Sequence, residues 1–554
     1  MKHAAAVRYP PATAPSPLPA MLIDDTPRLP LMLLAGVVLA FSGWLLLSPG
    51  VVVSRLMTWD LLFILEGAWR LHVGQVAHGD FHDPLGSLAF RPTELGMRIV
   101  GPSVLALIVG KLIVAGAVFV VAVAACARRL PLLPALIFVL FVCGLTLVPT
   151  NVGSLIDHFA FAMSYNATGW AGLCVLALIL FLPPRRVGGG DWADLAIGLA
   201  LIVALYYLKI TYFIAAVGLL AAALVLCGHI RARRLAWGGA GAIALANAVA
   251  PYNWPYLTDI LAALQSGAAR GGAHAIVLLV SANATELSLY AAALLFAAAF
   301  WRAGRVPLRL PAAIAVLLAC AVFVFSQNAQ LRGLPLGAVA FFLVYDQMRR
   351  TLRRRRDPGA VLALLAVLVF PAAIVGAGGF SAVAYFIAAR PEAPNHVVAR
   401  TNMRGLAVPL LQDYAVSSHE KDYSWLRDLR RIDGNVRVPQ LAYVRSLLEA
   451  AALFDAPSPR PGGIMLLDQV NPMAFILGRP PSRGATLWMD TAFPFQPAER
   501  SFAEVAHVLI PKLSTNADLT ASALDHYGAY LAAHFGDRTE TENWILLSRP
   551  AARP

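Results

Sequence analysis

From residue 29 to residue 389 the chain repeats one pattern: an apolar run with few or no charges, a polar link, then another run. Helical runs of this length match the hydrocarbon core of a bilayer, and a helix satisfies its own backbone there. Eleven such segments are predicted, at about 29–48, 100–126, 131–149, 167–183, 192–208, 210–228, 235–250, 273–300, 307–326, 334–348 and 360–389. Beyond residue 390 ordinary polarity returns. Helices are predicted there over Gln440–Phe454 and Ala521–Phe535, and strands over Gly463–Leu467, Glu504–Ile510 and Asn543–Leu547. The predicted fold class is mainly α: a polytopic membrane protein with about 11 transmembrane helices, plus a C-terminal α/β extracytoplasmic domain. Residues 1–28, rich in Pro and Ala, are expected to be a disordered cytoplasmic tail. Residues 29–389 form the transmembrane domain, with a first outer loop over 49–99, and residues 390–554 form the soluble domain.

Composition agrees with this pattern, with 59% hydrophobic residues, 14% charged ones and a mean hydropathy of +0.67. The net charge of +13 does not mark a nucleic-acid surface, because the arginines sit in short clusters between apolar runs. Placing the N-terminus inside puts Arg128-Arg129, Arg185-Arg186, Arg231, Arg233 and Arg234, Arg302 and Arg305, and Arg349–Arg356 on the cytoplasmic side. The link 150–165 has no Lys or Arg, as an outer link should. The expected location is a bacterial inner membrane, with the C-terminal domain in the periplasm. Cys126, Cys143, Cys174, Cys227 and Cys320 all lie in apolar runs, which implies helix packing and no disulfide framework.

The chemistry concentrates just after the first run. Thr58-Trp59-Asp60, Glu66 and Gly79-Asp80-Phe81-His82-Asp83-Pro84 bring four carboxylates together with His72, His78 and His82 in about 25 residues. Ionisable groups beside hydrocarbon are costly, so they point to function. Asp60 precedes an apolar stretch of helical spacing, Leu61–Leu71, and is suited to accept or orient a hydroxyl proton; the bland alternative makes it that helix's N-cap. In an extended run, Asp80 and His82 project to one side. His82 and Asp83 are candidate substrate ligands. Asp80 with His82 could also hold a divalent cation, or the stretch could be a solvated loop. No fixed metal-ligand spacing appears, so no metal residue is assigned. Further along, Tyr165, Asn166, Lys209, Asn328, Gln330 and Arg332 fall at predicted outer helix ends. Lys209 and Arg332 suit a phosphate and the amides suit sugar hydroxyls; snorkelling and helix capping are the alternatives.

Asp60 opening the first outer loop, the run Glu66…Ala68-Trp69-Arg70…Gly74-Gln75…Asp80-Phe81…Asp83-Pro84-Leu85-Gly86, many further helices and a soluble outer domain together resemble the GT-C superfamily of polytopic glycosyltransferases. Met163–Trp170, Gln327–Gln330 and Leu467–Pro472 are similar to segments of bacterial members. The resemblance implies a polyprenyl-phosphate-linked sugar donor and a glycan, lipid or protein acceptor outside the membrane. It makes the first-loop carboxylate a base or acceptor-positioning group, which carries over to Asp60. The family often has adjacent acidic residues there, whereas this chain has Trp59-Asp60, so Glu66 and Asp80 remain rival catalytic carboxylates. A flippase of lipid-linked saccharides and a saccharide polymerase or ligase are the alternative functions.

Overall fold

The computed structural model describes residues 21–22, 28–184, 191–227, 230–249, 253–265, 277, 280–327, 332–352, 358–410, 439–455, 462–490, 494–512 and 514–550. The expected N-terminal tail lies almost wholly outside the described residues. In chain order the elements begin α1 (Arg28–Leu47), β1 (Val52–Val53), α2 (Thr58–His72), α3 (Arg91–Val100), α4 (Leu105–Cys126), α5 (Leu132–Leu147), α6 (Ser164–Phe181), α7 (Asp191–Leu208), α8 (Ile210–Cys227) and α9 (Ile230–Val249). They continue with α10 (Asn253–Gln265), α11 (Ala284–Arg302), α12 (Arg309–Ser326), α13 (Val339–Leu352) and α14 (Pro358–Ala388). Among the described residues seven helices are long and apolar enough to cross a membrane: α1, α4, α6, α8, α11, α12 and α14. The remaining predicted segments also hold helices, some shorter than expected. The segment expected at 273–300 yields α11 from Ala284, and that expected at 334–348 opens with a 3-10 turn, Pro335–Ala338. Of the candidate windows in α14 and α11, only 22% and 11% is buried within the protein, leaving apolar flanks such as Leu362, Val369 and Phe380 for lipid.

The two ends of the bundle differ in how they are tied. At one end the fully buried Arg129 donates through Nε to the Leu182 carbonyl (2.7 Å), and through Nη2 to Asp194 Oδ2 (2.6 Å), joining the ends of α4, α6 and α7. A buried guanidinium needs this complete set of partners. At the other end, β1 pairs in parallel with β3 (Leu406–Pro409), which also pairs antiparallel with β2 (Asn395–Val397). The strand that follows α1 is thereby tied to the chain that follows α14.

The C-terminal region completes that end. It contains α15 (Gln440–Ala452), β4 (Gly463–Leu466), α16 (Met473–Leu477), α17 (Ala498–Ser501), β5 (Val505–Pro511), α18 (Ala517–His534), β6 (Asp537–Glu540) and β7 (Trp544–Ser548). Its sheet has the order β4-β5-β7-β6, with β4 and β5 parallel and the remaining pairs antiparallel. Residues 475–487 clasp α2 and the loop beyond it. Trp69 Nε1 donates to the Arg479 carbonyl (2.9 Å), Gln75 Nε2 to the Pro481 carbonyl (2.7 Å), and the Leu487 amide to the His82 carbonyl (2.9 Å). One apolar core runs through both parts, from Leu61–Leu65 of α2 to Val444 and Leu447 of α15 and Phe475 of α16. The first loop and the C-terminal region are packed as one body.

Candidate functional site

Asp60 is the third residue of α2, in its first turn, where the helix N-terminus favours negative charge. The N-cap is Met57, held at φ 52°, so the alternative that made Asp60 the cap does not hold. Around Asp60 the C-terminal region forms a roof. Thr58 donates its amide to Gln440 Oε1 (2.9 Å), and the Trp59 ring meets Tyr443 edge-on at 6.3 Å. The Tyr443 phenol is buried, and burial first, then the charges of Asp468 and Asp60, push it well above the ordinary tyrosine value. Asp60 itself is 9% exposed. It stands at the seam between the bundle and the domain above it.

Glu66 lies further along α2 and has a different setting. It is fully buried, accepts from Arg70 Nε (3.0 Å) and from the Phe475 amide (2.9 Å), and so fastens α2 to α16. Burial pushes its carboxyl up, opposed by the Arg70 charge and the Phe475 amide. The two-residue spacing of Asp80 and His82 predicts a shared side in an extended run; the structure gives them different partners. A tight turn, with the His78 amide donating to the Phe81 carbonyl (2.7 Å), directs Asp80 to the Val76 amide (2.8 Å) and Arg483 (3.3 Å). His82 faces the other way.

The His82 Nδ1 atom is 2.9 Å from Asp259 Oδ1, and His78 Nδ1 is 2.8 Å from Asp259 Oδ2. The Asp83 amide also reaches Asp259 (3.4 Å). Burial alone would raise the Asp259 carboxyl, but the hydrogen bonds and charges of the two histidines bring it below the usual carboxylate range. Asp83 is the converse case. Its Oδ1 accepts from the Leu85 amide (2.7 Å), and its Oδ2 is buried with no hydrogen-bond partner among the described residues. Burial pushes Asp83 up to about 8; the Leu85 amide and the Lys209 charge lower it, while the Asp259 charge adds to the rise. The Lys209 ammonium sits 5.3 Å from the Tyr165 ring centroid.

These contacts bring His82, Asp83, Lys209 and Tyr165 into one neighbourhood. Asn166 follows in the first turn of α6, 3% exposed, and its Oδ1 has no hydrogen-bond partner among the described residues. The N-cap of α6, Met163 at φ 50°, follows Ala162, which packs in one small cluster with Leu56 and Met57 at the start of α2. Non-glycine residues in this left-handed region carry strain, and three of the four among the described residues (Met57, His78 and Met163) lie in this area. Arg332 is exposed, and its carbonyl packs on Gly153 in the loop after α5. Asn328 and Gln330 lie outside the described residues.

Between α1, α5 and α14 lies a cavity of about 280 Å³, apolar along its length and capped by Thr150, Asn151, Ser154, Glu286 and Ser381. Glu286 accepts from the Leu334 amide (2.7 Å) and faces the Tyr290 hydroxyl (3.4 Å). Among the described residues no three His, Cys, Asp or Glu side chains are grouped to hold a metal ion, so the divalent cation left open above finds no ligand set there.

Two residues fix how the first loop sits. A Cβ added at Gly86 would lie 1.9 Å from the Tyr207 carbonyl oxygen, and the Gly86 amide donates to Leu208 (3.1 Å). Gly86→Ala is therefore expected to push the loop off the end of α7, at a cost of about 1–3 kcal/mol read by thermal unfolding. The second is Asp83. Its unfolded carboxyl loses its proton near pH 4 and its folded one near 8, so stability falls as pH rises between them. Asp83→Asn removes that titration. Its melting temperature relative to wild type is expected to climb from pH 4 to pH 8 and then level off; a constant difference would show that folded Asp83 is ionised throughout.

Sequence reasoning missed Asp259, Tyr256 and Tyr443. Asp259 had one signal: it is the sole acidic residue between Asp194 and Glu286. No protein-family model matches the chain. No curated protein and no solved structure matches it either.

Proposed function

We propose that this chain is a membrane glycosyltransferase that moves a sugar from a polyprenyl-phosphate donor to an acceptor outside the membrane. The acceptor is a glycolipid, polysaccharide or protein. In this reading the chain crosses a bacterial inner membrane eleven times. The N-terminus is inside, and the C-terminal domain stands in the periplasm over the first loop. The observation that carries the proposal is the seat of Asp60, a mostly buried carboxylate in the first turn of α2, roofed by Gln440 and Tyr443 of the domain above.

An acceptor entering that seam presents its hydroxyl to Asp60. The carboxylate takes or orients the proton as the hydroxyl oxygen attacks the anomeric carbon, and the bond to the donor phosphate breaks with its electrons going to the phosphate oxygen. Inversion follows from in-line attack. The leaving phosphate needs a cation, and Lys209, set beside Tyr165 and Asp83, supplies it. The isoprenoid chain lies in the apolar cavity between α1, α5 and α14, whose polar cap is on the Asp60 side of the bundle. Glu66 holds the roof in place through Phe475. Comparing the glycans and lipids of cells with and without this chain tests the reading. One glycoconjugate is expected to lose a sugar; identical profiles under conditions of expression would reject it.

A further inference from the structure

The polar end of the cavity between α1, α5 and α14 carries an inference beyond Asp60. Glu286 lies in the first turn of α11 and stands on the cavity wall. Its Oε2 accepts from the Leu334 amide (2.7 Å), and the Tyr290 hydroxyl gives its proton to the Leu334 carbonyl (2.9 Å). Its Oε1 has no hydrogen-bond partner among the described residues and is not sealed inside the protein. An open carboxyl oxygen among apolar walls calls for a ligand group that bonds it. The space itself is made by missing side chains. Gly144 of α5 and Gly379 of α14 both line it, and a Cβ at either would meet nothing within 4 Å. Glycine inside a helix is less stable than alanine, so helix stability alone does not account for the open wall.

The lining also narrows what that group is. Among the described residues on the wall there is no Lys, Arg or His, so a phosphate there would lack a counter-charge. The other polar side chains at that end, Thr150, Asn151, Ser154 and Ser381, are neutral. A neutral, hydroxyl-bearing head on an apolar chain fits both ends of the cavity, whose volume of about 280 Å³ is near the lower end of small-molecule sites. The donor's phosphate then stays outside it, beside Lys209. We propose that Glu286 hydrogen-bonds a sugar hydroxyl of a lipid-linked saccharide whose chain fills this cavity, and so helps to determine which sugar is accepted. The choice of a lipid-linked saccharide rests on the glycosyltransferase reading; the fit of a hydroxyl-bearing amphiphile does not.

The experiment places the purified full-length protein in lipid nanodiscs with photo-crosslinking probes that share a diazirine-bearing decyl chain. Their heads are a hexose or pentose glycoside, a phosphate, or none. Crosslinked peptides are mapped by mass spectrometry, and unlabelled competitors give the affinities. At least one decyl glycoside is expected to label the stretches 140–148 and 374–382. Glu286→Met is expected to weaken that glycoside about tenfold and to leave the phosphate and the bare chain unchanged. Glu286→Gln keeps an oxygen for the Leu334 amide and a polar group for the sugar, so it is expected to recover part of the loss. Gly144→Leu fills the cavity and is expected to remove labelling by every probe. Each variant's melting temperature is read alongside, so that a misfolded Glu286→Met leaves Glu286→Gln to decide. No labelling of those stretches by any glycoside, an equal loss for all heads in a folded Glu286 variant, or an unchanged glycoside affinity there overturns the proposal. Asp60→Asn is carried as the control and is expected to be labelled as the wild type is. Labelling by a wild type that transfers no sugar counts against the glycosyltransferase reading alone, and transfer without labelling counts against this site alone.

Discussion

Asp60→Asn is expected to insert and fold as the wild type does and to lose sugar transfer by about 10²–10⁴-fold, the range that a positioned proton acceptor contributes. The amide keeps the size of the side chain, and the contacts that seat the start of α2 beneath Gln440 do not run through the carboxylate. Thr58 still donates to Gln440, and Ser54 still meets Thr58 at 2.8 Å. The substitution removes the capacity to take a proton. Asp60→Glu retains the carboxylate but shifts it by one methylene, so it is expected to keep a fraction of the rate. Transfer assayed at saturating acceptor separates two roles: a fall in kcat marks a base, and a rise in KM alone marks an orienting group. Undiminished transfer by Asp60→Asn would remove Asp60 from both.

Glu66→Ala is the second change with a large expected effect, and it falls on stability. It leaves Arg70, only 2% exposed, without its ion partner and frees the Phe475 amide that ties α16 to α2. Breaking a buried pair from one side costs about 3–5 kcal/mol, because an uncompensated charge remains in a low-dielectric setting. Removing both charges with well-packed apolar residues is far milder. Arg70 also donates to Ser482 (2.9 Å) and Gln75 (3.2 Å), so Glu66→Met with Arg70→Met should recover most but not all of the loss. Thermal unfolding in detergent measures the cost, and limited proteolysis reads whether residues 475–487 come away from α2. Wild-type stability with transfer lost would instead make Glu66 a member of the reacting site.

The bundle was legible because hydrocarbon imposes a simple rule on sequence. Runs such as 100–126 and 210–228 have no alternative to helix, and α4 and α8 lie within those stretches. The α/β character of the C-terminal region was equally plain, since the short apolar stretches predicted as strands over Gly463–Leu467 and Glu504–Ile510 fall on the wholly buried β4 and β5. The contacts between the two parts were not legible. A strand as short as Val52–Val53 has no period, and nothing local to it announces that it pairs with Leu406–Ala407. The same holds at the histidines. Asp80 and His82 sit two residues apart, which predicts a shared side in a strand, but a turn at Gly79-Asp80 overrides that spacing. Asp259 lies more than 170 residues from His78 and His82, so tertiary folding alone brings it to them.

The central claim is that the protein transfers a sugar from a lipid-linked donor. It is tested most directly by placing the purified chain in vesicles with a polyprenyl-phosphate sugar labelled in the sugar, and by following the label together with the side of the bilayer on which the lipid lies. The account predicts that label leaves the lipid when extracts containing acceptor are supplied on the side of the C-terminal domain, and that Asp60→Asn stops it. Intact labelled lipid crossing the bilayer at a protein-dependent rate, with no label released, would contradict it.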